Sequence, residues 1–296
     1  METIYKTPEG RAAVLALYDR ELARLALRVD SRFVNTRFGR THLLVAGPED
    51  APPLVVVHGA NGSALPMAQA LGKLAEQQRC VFVDVPGEPN RSSETRLLKS
   101  EESLGRWMED VLAALGLERV AMLGMSGGGY AVLKCCAVMP ERLSRVVLMV
   151  PEGFARAPVL RFLGSVMWPL VRYRLSPTSA NVRRFLAAMA AVPDAEVPES
   201  TVEWMGVVMN HVKSMVNLGP LFSAEDLAGL HAPVLLVVGG RDVVFPGDLV
   251  ARRARAVLRN LRDVIVLPEA GHSHPDLASD AVISRISSFL AEDMPR

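Results

Sequence analysis

Residues 120–130 have the sequence VAMLGMSGGGY, in which a short apolar run ends in the motif Gly124-Met125-Ser126-Gly127-Gly128. The run at 120–123 predicts a buried strand, and the residues from Gly128 onward predict a helix. Glycines in this motif allow a tight strand-to-helix turn that lifts the serine hydroxyl clear of the sheet. Ser126 is therefore the candidate nucleophile. The alternative is a glycine-rich turn whose serine only caps the helix.

Other apolar runs of the same kind lie before and after this motif, and helical stretches separate them. The runs are residues 54–57, 80–83, 146–150, 234–238 and 264–267, and the helical stretches are 67–75, 103–115, 128–138 and 249–258. Continuous Val and Leu runs are typical of strands buried on both faces, as in a parallel sheet between helices. An opening helix from Thr7 and Pro8, and a hairpin of residues 32–36 and 41–45, come first. The pattern predicts an α/β fold with a mostly parallel, doubly wound sheet and a leading antiparallel hairpin.

One connection is much longer than the others, because about 80 residues separate the strand ending at Val150 from the strand beginning at Val234. A loop of that length without secondary structure is rare in a compact domain. We therefore predict a helical cap inserted after the sixth strand, with its best helix candidates at 183–191 and 202–215. The predicted division is a core of residues 1–151 and 226–296 and a cap of residues 152–225.

A serine hydroxyl is a weak nucleophile at neutral pH, so it needs a general base and an acid that orients the base. Asp242 comes directly after the strand at 234–238, and His272 comes after the strand at 264–267. The carboxyl ends of parallel strands converge on one crevice, where both side chains can meet Ser126. The predicted catalytic residues are therefore Ser126, Asp242 and His272. His274 remains an alternative base, and Glu152 remains an alternative acid.

The segment His58-Gly59-Ala60-Asn61-Gly62-Ser63 follows the strand at 54–57. Attack of a serine on a carbonyl creates a negative oxygen, which backbone N–H groups usually stabilise. We predict that the N–H groups of Ala60 and of Gly127, directly after the nucleophile, form this oxyanion hole. Asn61 is a further candidate through its side chain, and His58 is expected to brace the loop.

Composition and charge exclude several other classes of protein. Half of the 296 residues are hydrophobic and the mean hydropathy is +0.21, which predicts a compact globular chain. Lys and Arg total 33 against 32 Asp and Glu, so the formal net charge of +1 does not suit a nucleic-acid binder. The apolar charge-free stretches at 120–133 and 227–240 have 14 residues each, whereas a membrane helix needs about 18 to 20. No transmembrane segment is expected.

Cofactor and metal motifs are not found in the sequence. Cys80, Cys135 and Cys136 are too few for a disulfide framework and lack the spacing of a metal site. There is no dinucleotide fingerprint, phosphate loop or His-Glu-x-x-His helix, so we expect no cofactor and no metal. The N-terminal residues lack an apolar signal core, which favours a cytoplasmic protein.

With these motifs in place, the chain resembles the alpha/beta-hydrolase superfamily, and within it bacterial carboxylesterases of about this length. Besides the serine motif and the His58-Gly59 loop, the likeness rests on residues 6–10 (KTPEG), 36–42 (TRFGRTH), 86–92 (PGEPNRS) and 139–142 (MPER). The resemblance implies an alpha/beta-hydrolase fold, a small-molecule ester as substrate, and hydrolysis through a Ser-His-Asp triad and an acyl-enzyme.

Three alternatives on the same triad are an acyltransferase, a thioesterase and a cofactor-free perhydrolase, because the triad is shared across the superfamily. An alternative of a different class is a hydrolase-fold ligand receptor with little turnover. The oligomeric state is left open by the sequence.

The predicted cap has two features that bear on the substrate. Flexible methionines and flat rings suit an apolar acyl site, although each of these side chains can equally be ordinary core. The candidate substrate-binding residues are Asn61, Met125, Met167, Trp168, Phe185, Trp204, Met205 and Met209. The second feature is that residues 155–193 contain six arginines and no Asp or Glu. These arginines either lie in solvent or pair with carboxylates, or they attract anionic esters or a membrane surface.

Overall fold

The computed structural model describes residues 3–213 and 218–292, and within them it has eight strands and ten α-helices. The strands are β1 (Asp30–Thr36), β2 (Gly39–Ala46), β3 (Pro53–Val57), β4 (Arg79–Val83), β5 (Val120–Met125), β6 (Leu143–Met149), β7 (Val234–Gly239) and β8 (Leu261–Leu267). The helices are α1 (Pro8–Arg24), α2 (Ala64–Leu71), α3 (Ser103–Ala114), α4 (Gly127–Val138), α5 (Val159–Phe162), α6 (Trp168–Leu175), α7 (Ser179–Ala190), α8 (Glu199–His211), α9 (Gly247–Val257) and α10 (Asp280–Ala291).

The eight strands form one sheet in the order β1-β2-β4-β3-β5-β6-β7-β8. Strands β3 to β8 are parallel, whereas β2 is antiparallel to both β1 and β4. The register pairs Gly124, at the start of the serine motif, with Val57 on one side and Leu148 on the other. The predicted mostly parallel sheet with a leading antiparallel hairpin is confirmed.

Helices cover both faces of the sheet, as a doubly wound fold requires. On one face, α3, α4 and α9 pack against alternate strand residues through side chains such as Trp107, Leu133 and Val250. On the other face, α2 and α10 pack through Leu71, Ile286 and their neighbours. Because both faces are buried, the central strands consist of almost unbroken Val and Leu runs.

The structure differs from the sequence-based prediction mainly at element ends. The helix predicted at 67–75 begins three residues earlier, at Ala64, and its second half is the 3₁₀ segment Gly72–Glu76. The opening helix predicted from Thr7 and Pro8 is present and ends at Arg24. Helix α10 was not predicted, although Val282, Ile283, Ile286 and Phe289 give it a buried face at helical spacing.

Helices α5 to α8 lie in the long connection between β6 and β7, and a five-residue π-helical segment, Leu163–Met167, joins α5 to α6. Part of the helix predicted at 202–215 is α8, which ends at His211; residues 214–217 lie outside the described residues. Tyr173, Val182 and Leu186 belong to a separate apolar cluster formed by this insertion. We keep the name cap for residues 152–225.

The cap is attached to the N-terminal segment as well as to the strands that flank it. Tyr5 forms an isolated antiparallel bridge with Val212, just after α8. The Lys6 N–H donates to the His211 carbonyl at 2.8 Å, and the Lys213 N–H donates to the Ile4 carbonyl at the same distance. These contacts fix α8 over the end of the sheet from which the loops carrying Ser126, Asp242 and His272 emerge.

No helix in the described part of the chain is long and apolar enough to cross a membrane. The expected cytoplasmic location stays a prediction.

Candidate active site

Ser126 lies between the end of β5 and the first turn of α4, with φ 55° and ψ −119°. This positive φ is strained for a residue with a side chain. Close packing holds it, because a Cβ on Gly128 would lie 2.2 Å from the Val57 carbonyl oxygen, so only glycine fits there. The Ser126 N–H donates to the Met149 carbonyl at 2.9 Å. The strand-turn-helix unit predicted from the sequence is present and presents a partly exposed serine hydroxyl.

His272 and Asp242 meet Ser126 at the carboxyl edge of the sheet. The Ser126 Oγ lies 2.9 Å from His272 Nε2, and His272 Nδ1 lies 2.8 Å from Asp242 Oδ2. When Nδ1 carries the proton and donates a hydrogen bond to the Asp242 carboxylate, Nε2 presents a lone pair that accepts a hydrogen bond from the serine O–H. This arrangement is the one that general-base activation of a serine requires.

The carboxylate of Asp242 is fixed by the chain around it. Its Oδ1 accepts the N–H groups of Val244 and Phe245 at 2.7 and 2.9 Å, which leaves Oδ2 for the histidine. Asp242 is fully buried, and the Phe245 ring packs edge-on against the His272 imidazole with 5.3 Å between centroids. Backbone donors and an aromatic wall therefore hold the acid and the base in one orientation.

The two alternative residues are engaged elsewhere. His274 Nδ1 accepts the Asp276 N–H at 3.1 Å and so caps the 3₁₀ turn Pro275–Ala278. Glu152 forms an ion pair with Lys99 at 2.6 Å, and its other oxygen accepts the Gly219 N–H at 2.7 Å. The His274 ring nitrogen and the Glu152 carboxylate are thus occupied by contacts away from Ser126.

The loop after β3 lies directly against the serine turn. A Cβ on Gly127 would be 3.3 Å from the Ala60 nitrogen, and a Cβ on Gly59 would be 3.1 Å from the Ser126 Cβ. Within the described residues, no acceptor is recorded for the N–H of Ala60 or of Gly127. Two backbone donors beside the nucleophile are what an oxyanion hole consists of.

Three groups brace this loop, and His58 is one of them. Its Nδ1–H donates to the Gly59 carbonyl at 2.7 Å, while its Nε2 accepts the Val85 N–H at 3.0 Å. Burial lowers the pKa of His58, which keeps the ring neutral and able to accept that bond. His58 therefore ties the loop after β3 to the chain at Val85, in line with its expected bracing function.

The other two groups hold the backbone N–H and carbonyl of Asn61, a residue whose φ of 57° lies in the left-handed region. Glu88 Oε2 accepts the Asn61 N–H at 2.7 Å. From the opposite side, the Trp204 indole N–H in α8 donates to the Asn61 carbonyl at 3.3 Å. Since Asn61 follows Ala60 directly, the orientation of the Ala60 N–H depends on both contacts.

Glu88 is a partly buried carboxyl group beside this loop. Burial raises the pKa of Glu88 to about 7, against the lowering effect of the Asn61 N–H and of the Lys99 and Arg96 charges. Glu88 is not among the site residues predicted from the sequence. The segment PGEPNRS at 86–92 belongs to the family likeness, and nothing local in it indicates a contact with Asn61.

The cap also contacts the histidine loop through the end of α7. The His272 N–H donates to the Met189 carbonyl at 2.7 Å, and the Gly271 N–H donates to the Ala190 carbonyl at 3.1 Å. The last carbonyls of a helix have no partner within the helix, and here the loop that carries the base supplies the donors. The cap is thus bonded to both loops that flank Ser126.

The predicted pocket residues fall into two groups. Trp204 contacts the oxyanion loop through Asn61, and Met125 directly precedes Ser126 and packs with Trp204 on the same core cluster. Phe185, Met205 and Met209 pack on the cap's own apolar cluster, Met167 is half-buried in the π-helical segment, and Trp168 is 59% exposed. A substrate-binding role for these residues stays a prediction. In the described residues, no cluster of three or more His, Cys, Asp or Glu could hold a metal ion.

Comparison with known families agrees with this geometry. Residues 54–285, from β3 into α10, match the model of the alpha/beta hydrolase family. The chain belongs to the alpha/beta hydrolase family. The match includes Ser126, Asp242 and His272 and also the whole cap.

Two curated relatives and one solved structure, all from Bacillus subtilis, share most of the chain. This chain is 28% identical over 262 residues to the uncharacterized carboxylesterase nap, which covers 86% of this chain and 84% of the relative. It is 27% identical over 282 residues to the carboxylesterase YbfK, which covers 92% of each chain. The crystal structure of naproxen esterase superposes with a TM-score of 0.79 at 25% identity, covering 96% of this chain and 99% of that one. The protein is a carboxylesterase-like alpha/beta hydrolase, as its motifs predict.

Proposed function

We propose that this protein is a serine carboxylesterase that hydrolyses small carboxylic esters through an acyl-enzyme. The observation that carries the proposal is the continuous hydrogen-bonded path from Asp242 through His272 to the Ser126 hydroxyl, with heavy-atom distances of 2.8 and 2.9 Å. The likeness to carboxylesterases over most of the chain supports the choice of an ester substrate.

In the acylation step, Ser126 Oγ attacks the carbonyl carbon of the ester while its proton passes to His272 Nε2. The carbonyl oxygen becomes negatively charged and accepts hydrogen bonds from the N–H groups of Ala60 and Gly127. The bond between the carbonyl carbon and the alcohol oxygen then breaks, and His272 donates its proton to that oxygen. Asp242 stabilises the imidazolium between these transfers.

In the deacylation step, a water molecule attacks the acyl carbon and gives a proton to His272. The acyl–Oγ bond breaks, Ser126 recovers the proton from His272, and the carboxylic acid leaves. An alcohol, thiol or peroxide in place of water would give the acyl transfer or perhydrolysis that the same residues can perform. Product analysis with a competing alcohol or with hydrogen peroxide separates these reactions from hydrolysis.

We also propose that residues 152–225 act as a cap that encloses the acyl or alcohol group of the substrate. The support for this is the pair of attachments described above, from α7 to the histidine loop and from Trp204 to Asn61. With these attachments, α7 and α8 contact the two loops that flank Ser126. Asn61, Met125 and Trp204 are the proposed contacts nearest to the reacting atoms.

The decisive experiment is Ser126→Ala. We expect it to abolish turnover of a short-chain aryl ester, because the loss of a triad nucleophile commonly costs about 10⁶ in kcat. Covalent labelling by an organophosphonate should be abolished too, while the thermal unfolding temperature stays close to that of the unmodified protein. The matched control is Ser284→Ala on the exposed face of α10, which should keep both activity and labelling. Labelling that survives Ser126→Ala would refute the assignment, and labelling without turnover in the unmodified protein would indicate a receptor.

A further inference from the structure

The helical run from α5 through the π-helical segment to α6 has an unusually apolar exposed side. The described residues include ten exposed large hydrophobic side chains, and six of them lie on this 17-residue run. We call these six the outer cap face: Val159, Leu160, Leu163, Trp168, Val171 and Leu175, with exposed fractions from 39% to 84%. Single exposed apolar residues are ordinary, whereas a contiguous group marks a contact surface.

The π-helical segment helps to align this face. Along an α-helix, residues three or four apart lie on the same side, as Leu160 and Leu163 do, and again Trp168, Val171 and Leu175. The step from Leu163 to Trp168 is five residues, which would turn Trp168 away in a regular α-helix. The π turn at Leu163–Met167 follows an i to i+5 pattern, so Trp168 returns toward the side of Leu163.

The opposite side of the run is packed against the rest of the cap, so its orientation is fixed. Val166 and Tyr173 are buried, and the Tyr173 hydroxyl donates to Asn210 of α8 at 2.5 Å. The outer cap face therefore stays turned outward.

The charged residues on the run itself all have one sign. Arg161, Arg172 and Arg174 are exposed on the same run, and no carboxylate partner is recorded for them within the described residues. Elsewhere in the cap, Arg183 pairs with Glu199, and Arg184 lies 3.8 Å from Asp194. The outer cap face thus combines apolar side chains with three cations that form no ion pair within the described residues.

We propose that the outer cap face binds an anionic lipid surface, lying flat in the headgroup region with Trp168 and the leucines inserted. An exposed apolar stripe bordered by arginines is the pattern of a helix that lies in a membrane interface, and indoles favour the headgroup level. Anionic lipids complement the unpaired arginines. A second copy of this chain does not, because a symmetric contact through this face would bring the same three arginines of each copy together.

The test measures binding and does not depend on catalysis. The full-length protein is sedimented with vesicles of phosphatidylcholine alone and with vesicles containing about one-third phosphatidylglycerol, at low and high salt. We expect binding to the anionic vesicles, weakened by salt because the attraction is screened. A blue shift of tryptophan fluorescence should accompany it and should disappear in Trp168→Phe while binding persists. The Ser126→Ala protein should bind equally, which separates this proposal from the proposed function.

Two sets of variants distinguish binding through the outer cap face from non-specific attraction by positive charge anywhere on the protein. Arg161→Gln/Arg172→Gln/Arg174→Gln should weaken binding roughly 100-fold, since each cation contributes about fivefold near the membrane. Leu160→Ser/Leu175→Ser should weaken it independently of salt. The matched control is Arg252→Gln/Arg255→Gln/Arg259→Gln, which removes the same charge from α9 and the residues after it. Among the described residues, no exposed large hydrophobic side chain lies there. This variant should keep its affinity for the vesicles within about twofold.

Several outcomes would overturn the proposal. Equal sedimentation with neutral and anionic vesicles, or none with either, would exclude recognition of anionic lipid. An equal loss in the α9 variant would show that net charge alone is responsible. Self-association in solution that Leu160→Ser/Leu175→Ser abolishes would assign the face to a second copy of the chain.

Discussion

The indole N–H of Trp204 donates to the carbonyl oxygen of Asn61 across 3.3 Å, and this bond joins a cap helix to the loop that carries Ala60. The backbone of the same residue is held from the core by Glu88, which accepts the Asn61 N–H at 2.7 Å. One side of the proposed oxyanion hole is therefore fixed by two residues, 143 and 27 positions away along the chain.

Trp204→Phe tests the contribution of the cap to the oxyanion hole. It keeps an aromatic ring and removes only the indole N–H. The Asn61 carbonyl then loses this hydrogen bond, and the loop that carries the Ala60 N–H is held less firmly. Complete loss of an oxyanion donor costs about 10² to 10³ in kcat, and we expect this indirect change to cost about tenfold, mostly in kcat and little in KM. Steady-state kinetics on one short-chain ester measure the effect.

The matched control for Trp204→Phe is Glu203→Gln on the same helix. Glu203 pairs with Arg20 of α1 at 2.5 Å, and both side chains are exposed, so this change loosens the cap without touching the loop. Such surface pairs contribute little stability, and kcat should stay unchanged. If both variants lost the same activity, the effect would come from general loosening of the cap.

Gly271→Ala tests the other attachment of the cap, at the histidine loop. A Cβ on Gly271 would lie 2.4 Å from the Met189 carbonyl oxygen and 2.5 Å from the Ala190 carbonyl carbon. The helix end and the loop must separate, which moves His272 relative to Ser126. A misplacement of about 1 Å can cost 10² in rate, so we expect kcat and the rate of phosphonate labelling to fall together by one to two orders of magnitude.

Gly164→Ala is the control for this change, because nothing lies within 4 Å of a Cβ at Gly164, which is also in the cap. Alanine is a better helix former than glycine by about 1 kcal/mol, so this variant should be slightly more stable and equally active. An unaltered kcat in Gly271→Ala would show that the α7 contact does not position the base.

Asp242→Asn and Glu152→Gln separate the proposed orienting acid from its alternative. An amide at 242 can donate to His272 Nδ1 and so favours the wrong tautomer, which in serine proteases costs about 10⁴ in kcat. Glu152→Gln leaves the Lys99 cation unpaired and should lower the free energy of unfolding by about 2 kcal/mol, with kcat reduced less than tenfold. The reverse ranking of the two rate losses, measured with unfolding curves for both variants, would reassign the acid to Glu152.

The sequence predicts what depends on local pattern. Ser126, Asp242 and His272 each follow an apolar run, and the common direction of parallel strands is enough to predict that they converge. The contacts of Trp204 and Gly271 depend on how the cap lies over the sheet, and the contact of Glu88 joins two core loops 27 positions apart. Both result from packing between segments far apart in the chain. Helical periodicity shows that Met205 and Met209 face an apolar environment, but it does not distinguish a cap interior from a substrate pocket.

Element ends were harder to predict than elements, for the same reason. Helix α2 starts at Ala64 because the buried carboxylate of Asp84 accepts the Ala64 N–H at 2.7 Å, a contact across 20 positions. No local signal at Ala64 indicates it.

Glu88→Gln tests the charge beside the oxyanion loop through the pH dependence of stability. The pKa of Glu88 is raised from 4.5 to about 7 by burial, so between these values the folded chain binds more protons than the unfolded chain. Its neutral form therefore stabilises the fold fully below about pH 4.5, and this contribution is lost as pH rises to about 7. Glutamine stays neutral, and its side-chain oxygen still accepts the Asn61 N–H. We expect the unfolding temperature of Glu88→Gln, relative to the unmodified protein, to rise from pH 5 to pH 8, with activity retained. Glu88→Ala also removes the oxygen that accepts the Asn61 N–H, so it should lose activity at every pH. If Glu88→Gln and the unmodified protein had the same pH profile of unfolding, Glu88 would not carry the raised pKa.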